Sequence, residues 1–361
     1  MTEVSSAFRG DGRDGDRPDT LGSIGEVAAL ARIFPLLPRG DCTVLGPGDD
    51  AAVLAAADGR VVITTDMMIH GPDFRLAWST MHDLGWKAAV TNLSDVAAMG
   101  ARPTALVVAL AVPAETTVVE LEQFALGLAD ACDELAQGCG VIGGDLSVSP
   151  MFTVAVTAFG DLEDRDPVLR SGARVGDIVA VSGTLGLAGE GLRLLFEHAV
   201  DVAGVPNAAA AARVRFEHPV PIAAQLTPSP PIADGIAAAI GGASAMLDLS
   251  DGLVLDARRI AHASGVCLDL DSARVRDLAL AHGLDPAAPA SLALVGGEDH
   301  SLLATFPSDV APPALSLPGG FHVIGRVVEA DRHGPALLVD GQLFDERGGW
   351  DPYVGWDGAA G

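Results

Sequence analysis

Lysine is almost absent. Lys87 is the only one in 361 residues, and it stands in Gly85-Trp86-Lys87-Ala88, outside the GxxxxGK[ST] pattern of a phosphate-binding loop. A Walker-type NTPase is thereby excluded. No HRD or DFG triplet occurs, which excludes the protein-kinase arrangement as well. Basic residues are scarce overall: 22 Lys and Arg against 48 Asp and Glu leave a net charge of -26, so the phosphate backbone of a nucleic acid or an anionic membrane would be repelled. Neither is expected as a partner. The longest apolar run, 105–114, is about half of the ~20 residues a spanning helix needs and contains Pro113. Residues 1–20 are rich in Asp, Arg and Gly and lack the apolar run of a signal peptide, so a disordered tail on a cytoplasmic protein is expected. Cys42, Cys132, Cys139 and Cys267 show no CxxC spacing and no neighbouring His, which points to reduced, buried thiols. With no GxSxG either, covalent catalysis is disfavoured.

Hydrophobic residues make up 49% of the chain and charged ones 19%, with a mean hydropathy of +0.35, the composition of a packed globule. At ~150 residues per domain the length suggests two domains. Apolar periodicity predicts a helix to Phe34, a strand at 42–45 running into Gly46-Pro47-Gly48-Asp49-Asp50, and a strand at 61–65 ending at Asp66. A helix over 78–99 follows, interrupted near Asn92-Leu93-Ser94-Asp95 and closed by Arg102-Pro103. Then come a strand at 104–112, a helix at 115–137, a strand before Gly143-Gly144-Asp145, and a strand at 152–159. The segment 161–176, with charges, Pro167 and Gly172, reads as a linker with the cut near 165. Beyond it lie a strand (178–182), a helix (187–196), a Pro-rich crossing (219–231), and a strand (245–249). That strand ends in Asp248-Leu249-Ser250-Asp251-Gly252, where Ser and Asp are expected to cap a helix over 253–264.

Asp49, Asp50, Asp66, Asp95, Asp145, Asp248 and Asp251 all fall at predicted strand ends, turns or helix starts. Hard oxygen ligands without His or Cys suit Mg²⁺, which takes one or two carboxylates, keeps waters and bridges substrate phosphates. Gly46 to Ala51 also matches GxGxxA, the dinucleotide fingerprint, but Asp49 and Asp50 would stand where a bare pyrophosphate must approach the backbone. The dinucleotide reading is therefore set aside.

Taken in order, Gly25-Glu26, Gly46 to Ala51, Thr64-Thr65-Asp66, Lys87-Ala88, Asn92 to Ala101, Gly143-Gly144-Asp145, Arg170-Ser171-Gly172, Val181 to Gly186, Asp248 to Leu253 and Gly296-Gly297-Glu298-Asp299 resemble the thiamine-monophosphate kinase family. Its superfamily includes aminoimidazole ribonucleotide synthetase and selenophosphate synthetase. The resemblance implies an α+β fold of two domains: 21–165, an ATP- and Mg²⁺-binding and dimerisation domain whose mixed sheet joins a partner's into a barrel, and 166–361, an α/β sandwich. It implies a homodimer that moves the γ-phosphoryl of ATP directly onto thiamine monophosphate. By motif, Asp50, Thr64, Thr65, Asp66, Asp95, Asp145, Asp248 and Asp251 correspond to the Mg²⁺-binding set. Gly144, Asp145, Arg170 and Ser250 correspond to nucleotide contacts, and Asp73, Glu298 and Trp350 to the thiamine-phosphate side. Asp66, Asp95, Asp145 and Arg170 carry the transfer itself on this reading. Relatives often have His at the place of Asp73 and Tyr at that of His300. A sibling enzyme acting on another small metabolite and a non-catalytic sensor are the alternatives to separate by acceptor profiling and by turnover.

Overall fold

The computed structural model describes residues 18–47, 51–308, 317–330, 332, 334–346 and 348–349. Helix α1 (Leu21–Ile33) starts on a Thr20 capping box and bends at Gly25, whose φ of 76° costs little without a Cβ. A short ribbon pairs β1 (Thr43–Leu45) with β2 (Val53–Leu54). Then β3 (Val62–Ile69), β4 (Arg102–Val112), β5 (Gly140–Val148) and β6 (Thr153–Asp161) form a four-stranded mixed sheet ordered β3-β6-β4-β5, with β4 and β5 parallel. Between the strands run α2 (Met81–Ala98) and α3 (Val118–Leu135), started by Thr80 and Thr117 capping boxes. They approach so closely that a Cβ on Gly85 would lie 2.0 Å from the Phe124 carbonyl oxygen. Their shared apolar side buries Val154, Val156 and Ala158 of β6. The alternate residues of β3 face the other way, and Ile63 and Met67 are left 61% and 60% exposed.

The rest of the described chain builds a seven-stranded sheet from β7 (Ile178–Ser182), β8 (Ala245–Leu249), β9 (Cys267–Leu270), β10 (Ser301–Phe306), β11 (His322–Val328), β12 (Leu337–Val339) and β13 (Gln342–Leu343). Helices α4 (Leu187–His198), α5 (Ala208–Glu217), α6 (Pro219–Leu226) and α7 (Ile232–Ile240) lie between β7 and β8. After them come α8 (Leu253–Ser264), α9 (Ser272–Ala281) and α10 (Leu292–Val295). One face of this sheet packs Val179, Val181 and Leu247 on Leu253 and Ile260 of α8. The other packs Ala180, Met246 and Phe306 on Ala238 of α7 and on Ala98, the last residue of α2. Thus α2 touches both sheets. A Cβ on Gly235 would lie 2.1 Å from the Ala97 carbonyl oxygen, so α7 crosses α2 nearly backbone to backbone.

Several sequence expectations change. Helix α2 runs unbroken through Asn92 to Asp95, because its polar side chains bond back to their own helix: Asn92 Nδ2 donates to Ala88 O at 3.1 Å and Ser94 Oγ to Thr91 O at 2.8 Å. Arg102 and Pro103 begin β4, where a register shift accommodates the proline's missing donor. The Pro-rich crossing contains α6, with Pro219 in its first turn, where no helical N–H is missed. Asp66 and Asp145 lie inside strands and Asp95 inside a helix, not at element ends. Neither Ser250 nor Asp251 caps α8; Gly252, at φ 107°, takes that position without a side-chain bond.

Candidate active site

Three elements bring carboxylates to one place. From β3, Thr64 Oγ1 donates to Asp95 Oδ2 at 2.8 Å, and the Asp66 backbone N–H donates to Asn92 Oδ1 at 3.1 Å, which docks the strand on α2. From α2, Ser94 Oγ donates to Asp248 Oδ2 at 3.4 Å, joining the helix to β8. Asp66, Asp95 and Asp248 therefore share one field. Burial, then the charges of Asp248 and Asp66, push the Asp95 carboxyl up to about 7, with the Thr64 hydroxyl and His300 offsetting only part. Asp66 is raised in the same sense, by burial and then Asp248, with Glu298 and Asp251 adding and His300 opposing.

The loop after α10 supplies the cationic side. His300 is buried, with Nδ1 3.5 Å from Asp248 Oδ2 and no hydrogen-bond partner at Nε2. Burial opposes its charge, but the hydrogen bond to Asp248 and the charges of Glu298 and Asp248 outweigh it, so its proton is held more tightly than usual. Lys87 Nζ sits 2.5 Å from Glu298 Oε2 and donates to the Gln225 carbonyl at 3.1 Å. Burial would raise Glu298, yet Lys87 and His300 hold it below its ordinary range. Between them, Asp299 turns the other way and accepts from the Gly186 N–H at 2.5 Å and the Ala188 N–H at 3.0 Å, satisfying the start of α4. Three consecutive side chains thus serve three elements. This needs left-handed backbone at Glu298 (φ 72°) and His300 (φ 50°), held by N–H bonds to Ser250 O (2.8 Å) and Leu249 O (2.9 Å).

A cavity of about 100 Å³ opens beside this loop. Asp73, Lys87, Glu298, Phe74, Trp78 and Phe196 are among its walls. The Arg75 guanidinium lies 4.5 Å from the ring centres of both Trp78 and Phe196. Asp73 Oδ2 accepts from the Ile69 N–H at 2.7 Å, and burial, aided by Glu298, raises its carboxyl.

Of the residues singled out from sequence, Thr64, Asp66, Asp95 and Asp248 gather, and Asp73 and Glu298 line the neighbouring cavity. Thr65 alternates to the opposite face of β3 and donates to the Val156 carbonyl at 3.0 Å. Asp145 pairs with Ala109, not with the buried Val108, and so stands exposed on the open face of β5. It accepts from Ser147 Oγ at 3.0 Å and, with Gly144, borders an apolar cleft of about 80 Å³ beside Leu30, Phe34 and Pro47. Asp251 is paired with Arg259, and Ser250 contributes its carbonyl. Arg170 is not brought to the carboxylates. Its neighbour Leu169 bonds Met246 near the start of β8, and its own carbonyl accepts from Ser264 at the far end of α8. Asp49, Asp50 and Trp350 lie outside the described residues. Among the described residues, no three His, Cys, Asp or Glu side chains are grouped closely enough to hold one metal ion. Sequence reasoning used Lys87 only against a phosphate-binding loop and as part of a family motif, and His300 only as a departure from the relatives' pattern, and gave neither its partner.

Two sheets bridged by one helix are an arrangement shared with known proteins. Residues 48–162 match the family described as AIR synthase related protein, N-terminal domain. A thiamine-monophosphate kinase of Mycobacterium tuberculosis is 42% identical over 345 residues, covering 93% of this chain and 92% of that protein. The crystal structure of thiamine-monophosphate kinase from Stenotrophomonas maltophilia K279a superposes with a TM-score of 0.68 at 31% identity, covering 88% of this chain and 96% of that one. AaThiL complexed with AMPPCP and TMP gives 0.64 at 31% identity, covering 91% and 96%. The chain belongs to the thiamine-monophosphate kinase family. Among the described residues, no helix is long and apolar enough to cross a membrane.

Proposed function

We infer that this chain transfers the γ-phosphoryl group of ATP to thiamine monophosphate, giving thiamine diphosphate and ADP. The observation that carries this is the likeness along 93% of the chain to a thiamine-monophosphate kinase. A related structure holding AMPPCP and TMP together supports a two-substrate site. The acceptor is a phosphate monoester whose second pKa is near ~6, so its attacking oxygen is already ionised at neutral pH and needs no general base. What the protein must supply is alignment and relief of negative charge.

The carboxylates fit Mg²⁺. Their donors are hard oxygens, and the upward push on Asp95 and Asp66 comes from burial first and from neighbouring carboxylates second, two costs that a bound cation would relieve. Asp66, Asp95 and Asp248 are the candidates to hold such ions, one or two carboxylates to an ion. Thr64 and Asp251 stand beside them and Asp50 belongs to the set by motif, whereas Thr65 and Asp145 face the open side of the sheet and are not assigned to this ion; Gly144, Asp145, Arg170 and Ser250 remain the expected nucleotide contacts. Bound there, the ion would screen the phosphates during in-line transfer. The aromatic and carboxylate walls around Asp73 and Glu298 suit a flat cationic heterocycle, so we place the thiamine end in that cavity. Arg75 and Lys87 are cations on that wall.

We also place a second copy of the chain against the open face of the four-stranded sheet, where Ile63 and Met67 are exposed. The domain boundary near 165 and a cytoplasmic setting belong to the same reading. Light scattering at twice the 36.7 kDa chain mass would support the pair, and a monomer would remove it. For the reaction, purified protein is incubated with ATP, Mg²⁺ and either thiamine monophosphate or thiamine. Thiamine diphosphate formed from the monophosphate alone supports the assignment; turnover of ATP that ignores both acceptors would move it to a sibling enzyme.

A further inference from the structure

One buried amide joins the two elements that carry Asp66 and Asp95. Among the described residues β3 is the edge strand of its sheet, paired with β6 on one side, so alternate N–H groups along it have no neighbouring strand to accept them. That of Asp66 is taken by a side chain instead, donating to Asn92 Oδ1 at 3.1 Å. Two residues earlier, on the same face of the strand, Thr64 Oγ1 donates to Asp95 Oδ2 at 2.8 Å. Rising numbers on β3 thus meet falling numbers on α2, and two bonds, one from the main chain and one from a side chain, stop the strand from sliding along the helix. A slip of one residue would put Thr65 or Met67 in place of Asp66 on the face that α2 meets.

The amide itself is held in one orientation. Asn92 is 1% exposed, and its Nδ2 donates to Ala88 O at 3.1 Å and to Thr91 Oγ1 at 3.2 Å, which leaves Oδ1 as the acceptor facing the strand. The position asks for a donor and an acceptor on one short, uncharged side chain. Leucine has nearly the shape but neither group, and aspartate would lack the donor and set a further negative charge beside Asp66 and Asp95. We propose that Asn92 is a positioning residue for Mg²⁺: by holding the Asp66 main chain against α2, it keeps the Asp66 carboxylate in place beside Asp95 before the cation arrives. This role rests on the Mg²⁺-assisted phosphoryl transfer inferred above.

Without the amide, the Asp66 N–H has to find another acceptor, and β3 is left tied to this part of α2 by Thr64 alone. Binding of the cation would then have to order the strand as well as meet the charge. Partners that hold a metal ligand from behind commonly carry about 10- to 100-fold in affinity. The effect should fall on the cation and spare the acceptor, because Asn92 is not among the residues lining the cavity beside Asp73 and Glu298.

The test titrates Mg²⁺ alone into the full-length wild type, Asn92→Leu, Asp66→Asn and the double variant, and reads binding as the rise in melting temperature. Asn92→Leu should need about 10- to 100-fold more Mg²⁺ for the same rise, and more for half-maximal thiamine diphosphate formation, with its KM for thiamine monophosphate unchanged. In the Asp66→Asn background the same substitution should shift the Mg²⁺ requirement by less than about twofold, because the carboxylate it positions is gone. A purely structural asparagine would lower the melting temperature in both backgrounds and leave the Mg²⁺ requirement alone. That result overturns the proposal, as does an equal shift in both backgrounds or a wild type whose melting ignores Mg²⁺. Asn92→Ala, which leaves room for a water, carries the same comparison if the leucine variant does not fold. Absence of thiamine diphosphate from the wild type at every Mg²⁺ concentration is a separate failure, that of the functional assignment.

Discussion

The cleft carboxylates fall into two groups with opposite surroundings. Glu298 faces Lys87 at 2.5 Å, and Asp251 and Asp256 share Arg259. Asp66, Asp95 and Asp248 face one another, with His300 beside Asp248 at 3.5 Å. Matched charges hold a shape and ask nothing of a ligand, while crowded like charges store repulsion that an incoming cation relieves. The difference separates carboxylates that the fold has already paired, Glu298 and Asp251 among them, from those left for a ligand's cation to meet. Removing one member of the crowded group should therefore cost activity and spare stability. Asp95→Asn is expected to lower thiamine diphosphate formation by about 100- to 1,000-fold, the usual scale for losing one electrostatic contact at a reacting phosphate. Its melting temperature without Mg²⁺ should match or exceed the wild type. A variant that melts early would move Asp95 into the shape-holding group.

The matched group should respond in reverse. Lys87 is buried, and losing it leaves Glu298 without its partner. Breaking a buried pair costs about 3–5 kcal/mol, and Glu298 keeps some contact with solvent, so Lys87→Met should lose about 3 kcal/mol in a denaturant titration. Lys87→Met combined with Glu298→Gln should recover part of that loss, because the stranded charge is gone. If the double variant is no more stable than the lysine variant, the pair does not hold the loop.

How much of this was legible differs element by element. The helix and strand succession up to Phe159 could be read because apolar periodicity there is regular, and the ordered Asp motifs pointed to the family along the whole chain. Two errors had local causes. Asn92, Ser94 and Asp95 inside α2 read as a break, but Asn92 and Ser94 donate to the helix's own carbonyls and Asp95 accepts from Thr64 of β3. The prolines at 219–231 read as a crossing, but Pro219 occupies the turn where a helix loses nothing by having it. Strand alternation already implied that Thr65 and Asp66 point oppositely, although a motif written as a string hides this. The Lys87–Glu298 pair and the unpartnered His300 Nε2 had no such local trace. They arise only where α2 meets the loop before β10, and no periodicity within either segment encodes that meeting.

Asp299 sharpens the comparison as a third case, a carboxylate matched by backbone N–H groups with no cationic side chain. Burial pushes it from 3.8 up to about 6 despite the bonds from Ala188 and Gly186. Its folded value thus lies above its unfolded one, so the folded chain binds the proton more tightly. The stability this contributes is fully present below about pH 4 and is lost as pH rises toward about 6, after which the curve levels. At ~1.4 kcal/mol per unit, the loss across that window is about 2–3 kcal/mol. Asp299→Asn removes the titration while retaining one acceptor for α4. The wild-type minus Asp299→Asn difference in unfolding free energy, measured by denaturant at pH 4, 5, 6 and 7, should therefore decline between pH 4 and 6 and stay flat above. A difference that instead grows over that window would mean that the helix N-terminus outweighs burial, and that Asp299 belongs with Glu298 among the charges the fold has fully met.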